Sequence, residues 1–283
     1  MKSLVNGKLS NTVDIMDRGF LYGDGVFETL AVRKRRIALW PQHIQRLQLA
    51  CKKLAINFPG ETLLIDEVKQ LLASCHDDMT LRITLTRGVG KRGYRPTPNA
   101  VPSRIITLHE MPNTKLEKHN NYNETGINLR CCETRLAKSS LAGLKHLNRL
   151  EQVLAQSEWE PNEDIQEGLM LDYDDNVIEG TMSNVFIVKN NQLITPDLSH
   201  AGVAGVMRRC IIDTAHEHSI AIDESMVKLS CVKNADEVFV SNSVIGIWPV
   251  KYFDSKHWPA PGKLTTKIMR HIENKNKTSE LVI

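Results

Sequence analysis

Lys145 is a candidate catalytic residue, although most lysines of soluble proteins are solvated surface charges. A catalytic lysine has to be desolvated, because only then does its pKa fall far enough for the neutral amine to react. Lys145 follows the small-residue stretch Ala-Gly-Leu at 142–144 and precedes an amphipathic pattern. Its side chain could therefore emerge at a junction where a cofactor lies against the backbone.

Residues 202–208, Gly-Val-Ala-Gly-Val-Met-Arg, form a candidate anion-binding loop that runs directly into a helical pattern. Free N–H groups at a helix start, together with the helix dipole, favour a phosphate there. An ordinary loop-to-helix junction explains this segment equally well when it is taken alone. The loop contains neither G-x-G-x-x-G nor G-K-[ST], so it is not a dinucleotide or Walker signature.

Glu179 ends an apolar strand pattern and is followed by the small polar turn Gly-Thr-Met-Ser-Asn at 180–184. If this carboxylate is buried it needs a partner, and a protonated ring nitrogen is a suitable one. The alternative is a strand-end acid in water, as most glutamates are.

The segment Tyr22-Gly23-Asp24-Gly25 stands before the strand-like run Val-Phe-Glu-Thr at 26–29. Asp-Gly is a strong turn signal, so the segment alone predicts a tight turn into a strand. It gains a functional meaning only in combination with the other segments.

Composition indicates a globular protein and argues against several other classes. The 283 residues are 41% hydrophobic and carry a net charge of +3, which allows one large or two ordinary domains. Basic residues are spread along the chain except at 33–36, which we interpret as an exposed hairpin tip, so nucleic-acid binding is not indicated. The sequence shows no signal-peptide layout and no apolar stretch near the roughly 18 residues of a membrane span, so we expect a cytoplasmic protein.

The six cysteines stand at 51, 75, 131, 132, 210 and 231. They include no C-x-x-C pair and no spacing that would pre-organise a metal. We therefore expect no metal site, and reduced thiols that lie mostly in the core.

Hydrophobic periodicity predicts a small α+β domain at residues 1–110. Strands are expected at 3–5, 26–32, 37–40, 79–86 and 104–109, and helices after Pro41 and over about 62–73. The first helix places Ile44, Leu47, Cys51 and Leu54 on one face at spacings of three and four.

Residues 111–124 are polar and predict an interdomain linker, followed by a larger domain at 125–283. In that domain Leu147, Leu150 and Leu154 predict a helix over 146–157. Short strands are expected at 167–172, 177–179, 184–188, 192–195, 237–241 and 244–250, and a further helix over about 205–218.

Taken together and in this order, the segments resemble the fold-type IV family of pyridoxal 5′-phosphate (PLP) enzymes, which includes branched-chain and D-amino acid aminotransferases and aminodeoxychorismate lyases. Residues 17–29, Asp-Arg-Gly-Phe-Leu-Tyr-Gly-Asp-Gly-Val-Phe-Glu-Thr, resemble the N-terminal signature of the family, and residues 179–186 resemble its E-G-x-x-S-N-x-F segment. The resemblance implies a small α+β domain, a larger β-barrel-like domain with helices, and a homodimer with its site at the domain interface.

The resemblance also implies a role for individual residues. It makes Lys145 the lysine that forms the Schiff base with PLP, and Glu179 the partner of the pyridine nitrogen. Arg46 is similar to the arginine that holds the phosphate, and its planar fork suits a dianion. The rest of the phosphate cup is implied to be the backbone amides of Val206 and Met207 and the polar pair Ser241 and Asn242.

Within the family, residues 141–154 discriminate best. They are very similar to the G-[IL]-K-H-L-N-R-L-E-Q-V-L run of the aminodeoxychorismate lyases, whereas branched-chain aminotransferases usually have a glycine- and threonine-containing run after the lysine. Residues 87–94 also resemble the R-G-x-G-G-R-G-Y loop of the lyases. Lys91 replaces the second glycine of the G-G pair, while Arg92 is retained. We assign Arg92 to a substrate carboxylate and expect Tyr22 to contact the substrate as well.

The resemblance therefore implies a PLP-dependent lyase that converts 4-amino-4-deoxychorismate to 4-aminobenzoate and pyruvate, a step of folate biosynthesis. Lys145 would take the proton from the carbon that bears the nitrogen and would then be the expected donor to the departing three-carbon unit. The Thr29 hydroxyl is a weaker candidate for positioning that last step. The alternatives are a D-amino acid or branched-chain aminotransferase of the same fold, and a PLP-binding protein without catalysis.

Overall fold

The computed structural model describes residues 2–73, 75, 77–111, 121–276 and 280–283. The chain forms two compact units. The first contains Met1–Leu116, Lys145–Asn148 and Asn276–Ile283. The second contains Glu117–Leu144 and Arg149–Lys275. Each unit is built on a β-sheet of its own.

The first unit has an antiparallel sheet with three helices between its strands in the sequence. The strands are β1 (Lys2–Val5), β2 (Lys8–Leu9), β3 (Gly25–Arg33), β4 (Arg36–Ala38), β5 (Met79–Thr86), β6 (Ser103–Glu110) and β17 (Glu280–Val282). The helices are α1 (Arg18–Tyr22), α2 (Trp40–Leu54) and α3 (Glu61–Leu72). The strand order is β17-β4-β3-β5-β6-β1-β2.

Hydrophobic alternation explains the centre of this sheet. On β5, Leu81, Ile83 and Leu85 are fully buried, whereas Arg82 and Thr84 between them are only partly buried. The strand begins and ends at the residues predicted from the sequence, because strict alternation over this length fits a strand and no helical face.

Helix α2 has the predicted apolar face. Pro41 lies in its first turn, where the missing N–H costs nothing, and Ile44, Leu47 and Cys51 are buried. The basic run at 33–36 forms the predicted turn between β3 and β4, with positive φ at both central residues.

The second unit combines ten strands with helices at intervals along the chain. The strands are β7 (Ile127–Leu136), β8 (Glu167–Asp172), β9 (Asn176–Gly180), β10 (Asn184–Lys189), β11 (Gln192–Pro196), β12 (Ile222–Ser225), β13 (Val227–Lys228), β14 (Glu237–Asn242), β15 (Gly246–Phe253) and β16 (Lys256–His257). The helices are α4 (Tyr122–Thr125), α5 (Leu150–Gln156), α6 (Val206–Glu217), α7 (Leu229–Lys233) and α8 (Lys263–Asn276).

This second sheet is mixed, in the order β12-β11-β10-β14-β15-β7-β8-β9-β13 with β16 beside β15. Strand β7 runs parallel to both β8 and β15, and β11 runs parallel to β12. Strand β9 also lies close to β10 and β11, so the sheet curves into a nearly closed barrel around one apolar core that includes Leu169, Val185 and Val240. The predicted fold, with a small α+β unit and a larger barrel-like unit, is confirmed.

The helix predicted over 146–157 is wrong in its first part. Helix α5 begins only at Leu150, and Lys145–Asn148 belongs to the first unit rather than to the larger domain in which the sequence boundaries placed it. Leu150 and Leu154 are 75% and 60% exposed, and Ala155 is the buried residue of α5. Residues 145–147 form backbone hydrogen bonds with β3 instead, and this tertiary contact outweighs the helical periodicity.

Most of the predicted linker at 111–124 lies outside the described residues. Its last part is helical, because α4 covers Tyr122–Thr125, and the Tyr122 ring meets Trp248 edge-on with centroids 5.1 Å apart. The boundary at 125 therefore cuts through a helix that packs within the second unit. The domain limits otherwise stay a prediction.

All six cysteines are free thiols, but only three of them, Cys51, Cys132 and Cys210, are fully buried. Among the described residues no helix is long and apolar enough to cross a membrane. In the same part of the chain, no group of three or more His, Cys, Asp or Glu side chains is placed to hold a metal ion.

Candidate active site

Lys145 lies beside the start of β3 in the first unit. Its carbonyl oxygen accepts a hydrogen bond from the N–H of Phe27 at 3.0 Å, and the N–H of Leu147 donates to the carbonyl of Gly25 at 3.0 Å. These bonds fix residues 145–147 as a short extended segment along the first residues of β3. We call residues 145–148 the lysine segment.

Two glycines make room for the lysine segment. A Cβ on Gly25 would lie 2.7 Å from the Leu85 carbonyl oxygen and 2.8 Å from Cδ1 of Leu147. Gly23 has a φ of 65°, and a Cβ there would collide with Asn148. Because only glycine permits both the backbone conformation and the close approach, the Tyr-Gly-Asp-Gly motif has a structural role in holding the lysine segment against β3.

The amine of Lys145 faces an aromatic ring. Its Nζ lies 4.4 Å from the ring centroid of Phe27, a buried side chain. The guanidinium carbon of Arg82 lies 3.8 Å from the same centroid, and burial lowers the pKa of Arg82. Arg82 is also the β5 partner of Thr29 on β3. Two cations therefore contact one ring, an arrangement that suits an anionic ligand beside the lysine.

Arg46 is bound on one edge by a buried carboxylate. Its Nε and Nη2 donate to the two oxygens of Glu28 at 2.7 Å and 2.5 Å, and Nδ1 of His43 lies 2.6 Å from Glu28 Oε2. Burial by itself would raise the pKa of Glu28, but the charge and hydrogen bonds of Arg46, with the His43 hydrogen bond, hold it at about 2. Burial lowers the pKa of His43, although Glu28 opposes this. Glu28 and His43 thus orient the guanidinium of Arg46, the residue that the sequence analysis predicted to bind a phosphate.

The loop that carries Arg92 is held by its backbone. Arg18 donates to the carbonyl groups of Gly93 and Tyr94 at 2.8 Å and 3.0 Å, and the N–H of Gly93 donates to the Tyr22 hydroxyl at 2.9 Å. The Arg92 side chain itself is exposed. The structure therefore brings together Tyr22 and the Arg92 loop, the two elements that the sequence assigned to the substrate.

Glu179 lies on β9 in the second unit and is 4% exposed. Its Oε2 accepts a hydrogen bond from the N–H of Val203 at 2.8 Å. A Cβ on Gly202 would lie 3.2 Å from the same oxygen, so the loop before α6 passes close to the carboxylate. Burial lowers the pKa of Arg149, and the charge of Glu179 opposes that shift. Glu179 is thus a buried acid, and the alternative of a strand-end acid in water is wrong.

Asn184 connects the two segments that the sequence analysis predicted to bind a phosphate, the start of α6 and the end of β14. Its Nδ2 donates to the carbonyl of Val203 at 2.9 Å, in the loop before α6. It is also the strand partner of Ser241 at the end of β14. A Cβ on Gly205 would collide with the Asn184 amide, so this glycine allows the loop, α6 and β14 to meet.

Both segments offer donors to an anion. No side chain caps the first turn of α6, so the N–H groups of Val206 and Met207 point out of its start. The Oγ of Ser241 is fully buried and has no hydrogen-bond partner among the described residues. Asn242 stabilises the turn after β14, because its Oδ1 accepts from the N–H groups of residues 244 and 245. We call Ser241 and Asn242 the anion corner. A buried hydroxyl without a partner costs stability unless a ligand binds it, so this set fits a phosphate.

Sequence reasoning missed Glu28, His43 and Arg82. One signal was present, because His43 and Arg46 are three residues apart and therefore share a helical face. Glu28 lies in the signature at 17–29 but no role was predicted for it, and Arg82 has no signal, since a charged residue within a strand pattern is usually solvated. Their contacts become visible only once β3, β5 and α2 are packed together.

Comparison with known proteins places the chain among its relatives. The family model for class IV amino-transferases matches residues 25–253. The chain belongs to the class IV amino-transferase family. The resemblance drawn from residues 17–29 and 179–186 is thereby confirmed.

Two lyases and one aminotransferase illustrate where this class IV chain stands. It is 34% identical to an aminodeoxychorismate lyase of Vibrio harveyi over 95% of this chain and 98% of the relative. The crystal structure of 4-amino-4-deoxychorismate lyase from Pseudomonas aeruginosa is 41% identical, with a TM-score of 0.86 over 96% of this chain and 98% of that chain. A putative branched-chain-amino-acid aminotransferase of Methanocaldococcus jannaschii is 31% identical over 90% of this chain and 89% of the relative.

Proposed function

We propose that this class IV chain is a PLP-dependent lyase that converts 4-amino-4-deoxychorismate to 4-aminobenzoate and pyruvate. The observation that carries the proposal is the position of Lys145, whose amine is held 4.4 Å from the Phe27 ring by a segment with the lyase-like run. The two lyases described above, at 34% and 41% identity over nearly the whole chain, support it.

The residues proposed to hold PLP form three groups, which bind its aldehyde, its ring nitrogen and its phosphate. When bound, PLP supplies an aldehyde that condenses with amines and a ring that accepts the electrons released by proton removal. Lys145 is the proposed amine, and the buried carboxylate of Glu179 is the proposed partner of the ring nitrogen. The proposed phosphate ligands are Arg46, the N–H groups of Val206 and Met207, and the side chains of Ser241 and Asn242.

Lys145 is proposed to move the proton in both halves of the reaction. As a neutral amine, its Nζ takes the proton from the substrate carbon that bears the nitrogen. The same atom then delivers a proton to the departing three-carbon unit, with the Thr29 hydroxyl orienting that unit. Thr29 is half-buried on β3 and is paired with Arg82, which places it on the strand that holds the lysine segment.

Three further side chains are proposed to bind the substrate. Its carboxylates are anions, and Arg92 and Arg82 are the cations proposed to receive them. Tyr22 is proposed to contact the substrate directly while its hydroxyl holds the Arg92 loop through Gly93. The contribution of these residues is therefore orientation and charge stabilisation.

Product analysis tests the lyase assignment. Purified protein incubated with aminodeoxychorismate alone is expected to release 4-aminobenzoate and pyruvate in equal amounts, without any amino acceptor. Lys145→Ala is expected to abolish both products and the visible absorbance of the bound aldehyde. Lys138→Ala is the matched control, because Lys138 is an exposed lysine paired with Asp174 on the surface. Loss of activity in both variants, or in neither, would refute the role of Lys145.

An aminotransferase is the second candidate, favoured by the 31% identity to the Methanocaldococcus protein. Incubation with D-alanine or leucine plus 2-oxoglutarate measures this activity as glutamate formed. Turnover of an amino acid pair at a higher kcat/KM than that for aminodeoxychorismate would replace the lyase by this alternative.

We further propose a cytoplasmic homodimer. Large apolar side chains are exposed in both units: Ile15 is 73% and Phe20 69% exposed in the first, and Leu150 is 75% exposed in the second. Exposed apolar groups of this size support association with a second copy. Sedimentation velocity at micromolar concentration tests this, and a monomer of 32.0 kDa would contradict it.

A further inference from the structure

Glu167, the first residue of β8, is a buried carboxylate that the proposed reaction does not use. It is 1% exposed. Its Oε1 accepts from the N–H of Gly168 and the N–H of Thr181, both at 2.9 Å, and from the Thr181 hydroxyl. Its Oε2 accepts from the Ser183 hydroxyl at 2.7 Å and from the N–H of Met182 at 3.3 Å. The carboxylate is therefore the centre of the turn at 181–183.

The surroundings of Glu167 contain hydrogen-bond donors but no counter-charge. No cation in the described part of the chain forms an ion pair with it, and burial raises its pKa even though the donors oppose this. A protonated acid would have to present an O–H to a shell made of donors, so the donor set matches the carboxylate form. A neutral amide in its place would meet the same mismatch, because its NH2 would face donors.

The turn that Glu167 holds joins two parts of the proposed cofactor site. On one side, residue 181 follows Gly180 and Glu179 directly, and a Cβ on Gly180 would lie 2.9 Å from the Glu167 carboxylate. On the other side, the carbonyl of Met182 accepts from Nδ2 of Asn242 at 3.0 Å. Asn242 adjoins Ser241, the buried hydroxyl without a partner. The Glu167 carboxylate is thus connected to Glu179 on one side and to Ser241 and Asn242, the anion corner, on the other.

A further hydrogen bond ties α5 to the same centre. Nε2 of Gln156 donates to the Thr181 hydroxyl, which itself donates to Glu167. The network therefore runs from α5 through the Glu167 carboxylate to β14, by hydrogen bonds and through the backbone of Met182. Chains of this kind fix the rotamers of the groups at their ends.

We propose that Glu167 is a positioning residue for the cofactor, which sets Glu179 on one side and the Ser241–Asn242 corner on the other through the turn at 181–183. The proposal rests on the proposed PLP site. It assigns to Glu167 no contact with PLP or substrate; its effect passes through the turn.

The chain offers a matched control on the same strand. Asp172 ends β8 and is 4% exposed, and it holds the other hairpin turn through the N–H groups of residues 174 and 176. Asp172→Asn therefore removes another turn-organising carboxylate from the same strand, about 17 Å along it from Glu167. A loss of fold stability alone would affect both variants alike.

The first test measures PLP binding and its spectrum. We expect Glu167→Gln to raise the PLP dissociation constant by about tenfold or more, as for the loss of hydrogen bonds to a charged group, and to shift the pH midpoint of the visible absorbance band. Asp172→Asn is expected to change the dissociation constant less than about threefold and to leave the midpoint in place. Equal changes in both variants would overturn the proposal, because they would show a structural role only.

The second test does not depend on the cofactor. Amide hydrogen exchange of the PLP-free protein is expected to become faster at 179–184 and 242–245 in Glu167→Gln, and at 172–176 in Asp172→Asn. Ser183→Ala, which removes one donor and keeps the carboxylate, gives the same pattern in milder form if Glu167→Gln does not fold. If wild-type protein shows no PLP absorbance, the proposed function fails, and unchanged exchange at 242–245 would separately overturn the role of Glu167.

Discussion

Arg46 and Glu28 form a two-point ion pair, with Nε to Oε1 at 2.7 Å and Nη2 to Oε2 at 2.5 Å. The pair joins α2 to β3, and Glu28 is 1% exposed. A guanidinium that donates two hydrogen bonds to one carboxylate has a fixed orientation. Its orientation is therefore set by the protein before any ligand arrives.

Acid should destabilise the protein through this pair. The pKa of Glu28 lies at about 2 instead of 4.5, so its stabilisation is complete above pH 4.5 and is lost as the pH falls toward 2, by about 3 kcal/mol. The lowered pKa of His43 acts in the same direction, since the unfolded state takes up its proton first. Urea unfolding at pH 7 and pH 3 measures the difference.

Glu28→Gln should lose most of that pH dependence. Glu217→Gln is the control, because Glu217 is a carboxylate 55% exposed that pairs with Lys275, and surface pairs contribute little. If wild type and Glu28→Gln show the same loss of stability between pH 7 and pH 3, the buried pair is not its source.

Gly25→Ala should displace the lysine segment. The new Cβ would meet the Leu85 carbonyl, which is backbone and cannot move aside cheaply, at 2.7 Å. We expect a loss of about 1–3 kcal/mol in stability from overpacking and at least about tenfold lower kcat from a misplaced amine. Gly60→Ala, at the start of α3, is the control for a destabilising glycine replacement without a collision: a Cβ there meets nothing within 4 Å, but the φ of 97° strains an alanine, so stability should fall while kcat stays unchanged. Full activity in Gly25→Ala would show that the segment tolerates the shift.

Ser241→Ala should have opposite effects on the free and the PLP-bound protein. Without PLP, removal of a buried hydroxyl that has no partner should raise the free energy of unfolding by about 1 kcal/mol. With PLP, the lost phosphate contact should raise the dissociation constant about tenfold. Thr195→Val is the contrast, because the buried Thr195 hydroxyl donates to the Val185 carbonyl at 2.9 Å and should lower stability in both forms. A destabilised PLP-free Ser241→Ala would mean that the hydroxyl already has a partner.

Arg92→Gln should raise KM for the substrate about tenfold, as expected for the loss of one charge-assisted hydrogen bond, and change kcat less. Arg95→Gln is the matched control, since both arginines are exposed on one loop. Steady-state kinetics of the two variants measure KM and kcat for the substrate. Equal KM values for the two variants would remove Arg92 from substrate binding.

Local patterns in the sequence predicted much of the fold. The bounds of β5 and β8 agree residue for residue with the predictions, because alternation and apolar runs of strand length are properties of the segment itself. Helix α8 and strand β17 were not predicted, and β17 consists of three residues that become a strand only by pairing with β4. Such elements depend on a partner far away in the chain.

The candidate site likewise contains residues that local sequence patterns reveal and residues that only the tertiary structure reveals. Lys145 was found because the residues around it resemble a family motif, but the start of the helix predicted directly after it, at 146, was wrong, since Leu147 satisfies a helical pattern and still pairs with Gly25. The roles of Glu28 and Glu167 were missed, because a buried acid inside a strand looks like any other charged residue until its donors are in place. Buried polar networks are tertiary properties.

The first unit is assembled from pieces of chain that are far apart in the order of synthesis. When residue 111 has left the ribosome, β1 to β6 are complete, but the start of β3 still lacks residues 145–147, and β4 lacks its partner at 280–282. The edge at β3 can be closed once residue 147 has been translated, whereas the edge at β4 stays open until the whole barrel and residues 280–282 have been translated. No single cut in the gene therefore yields two fragments that each encode one intact unit.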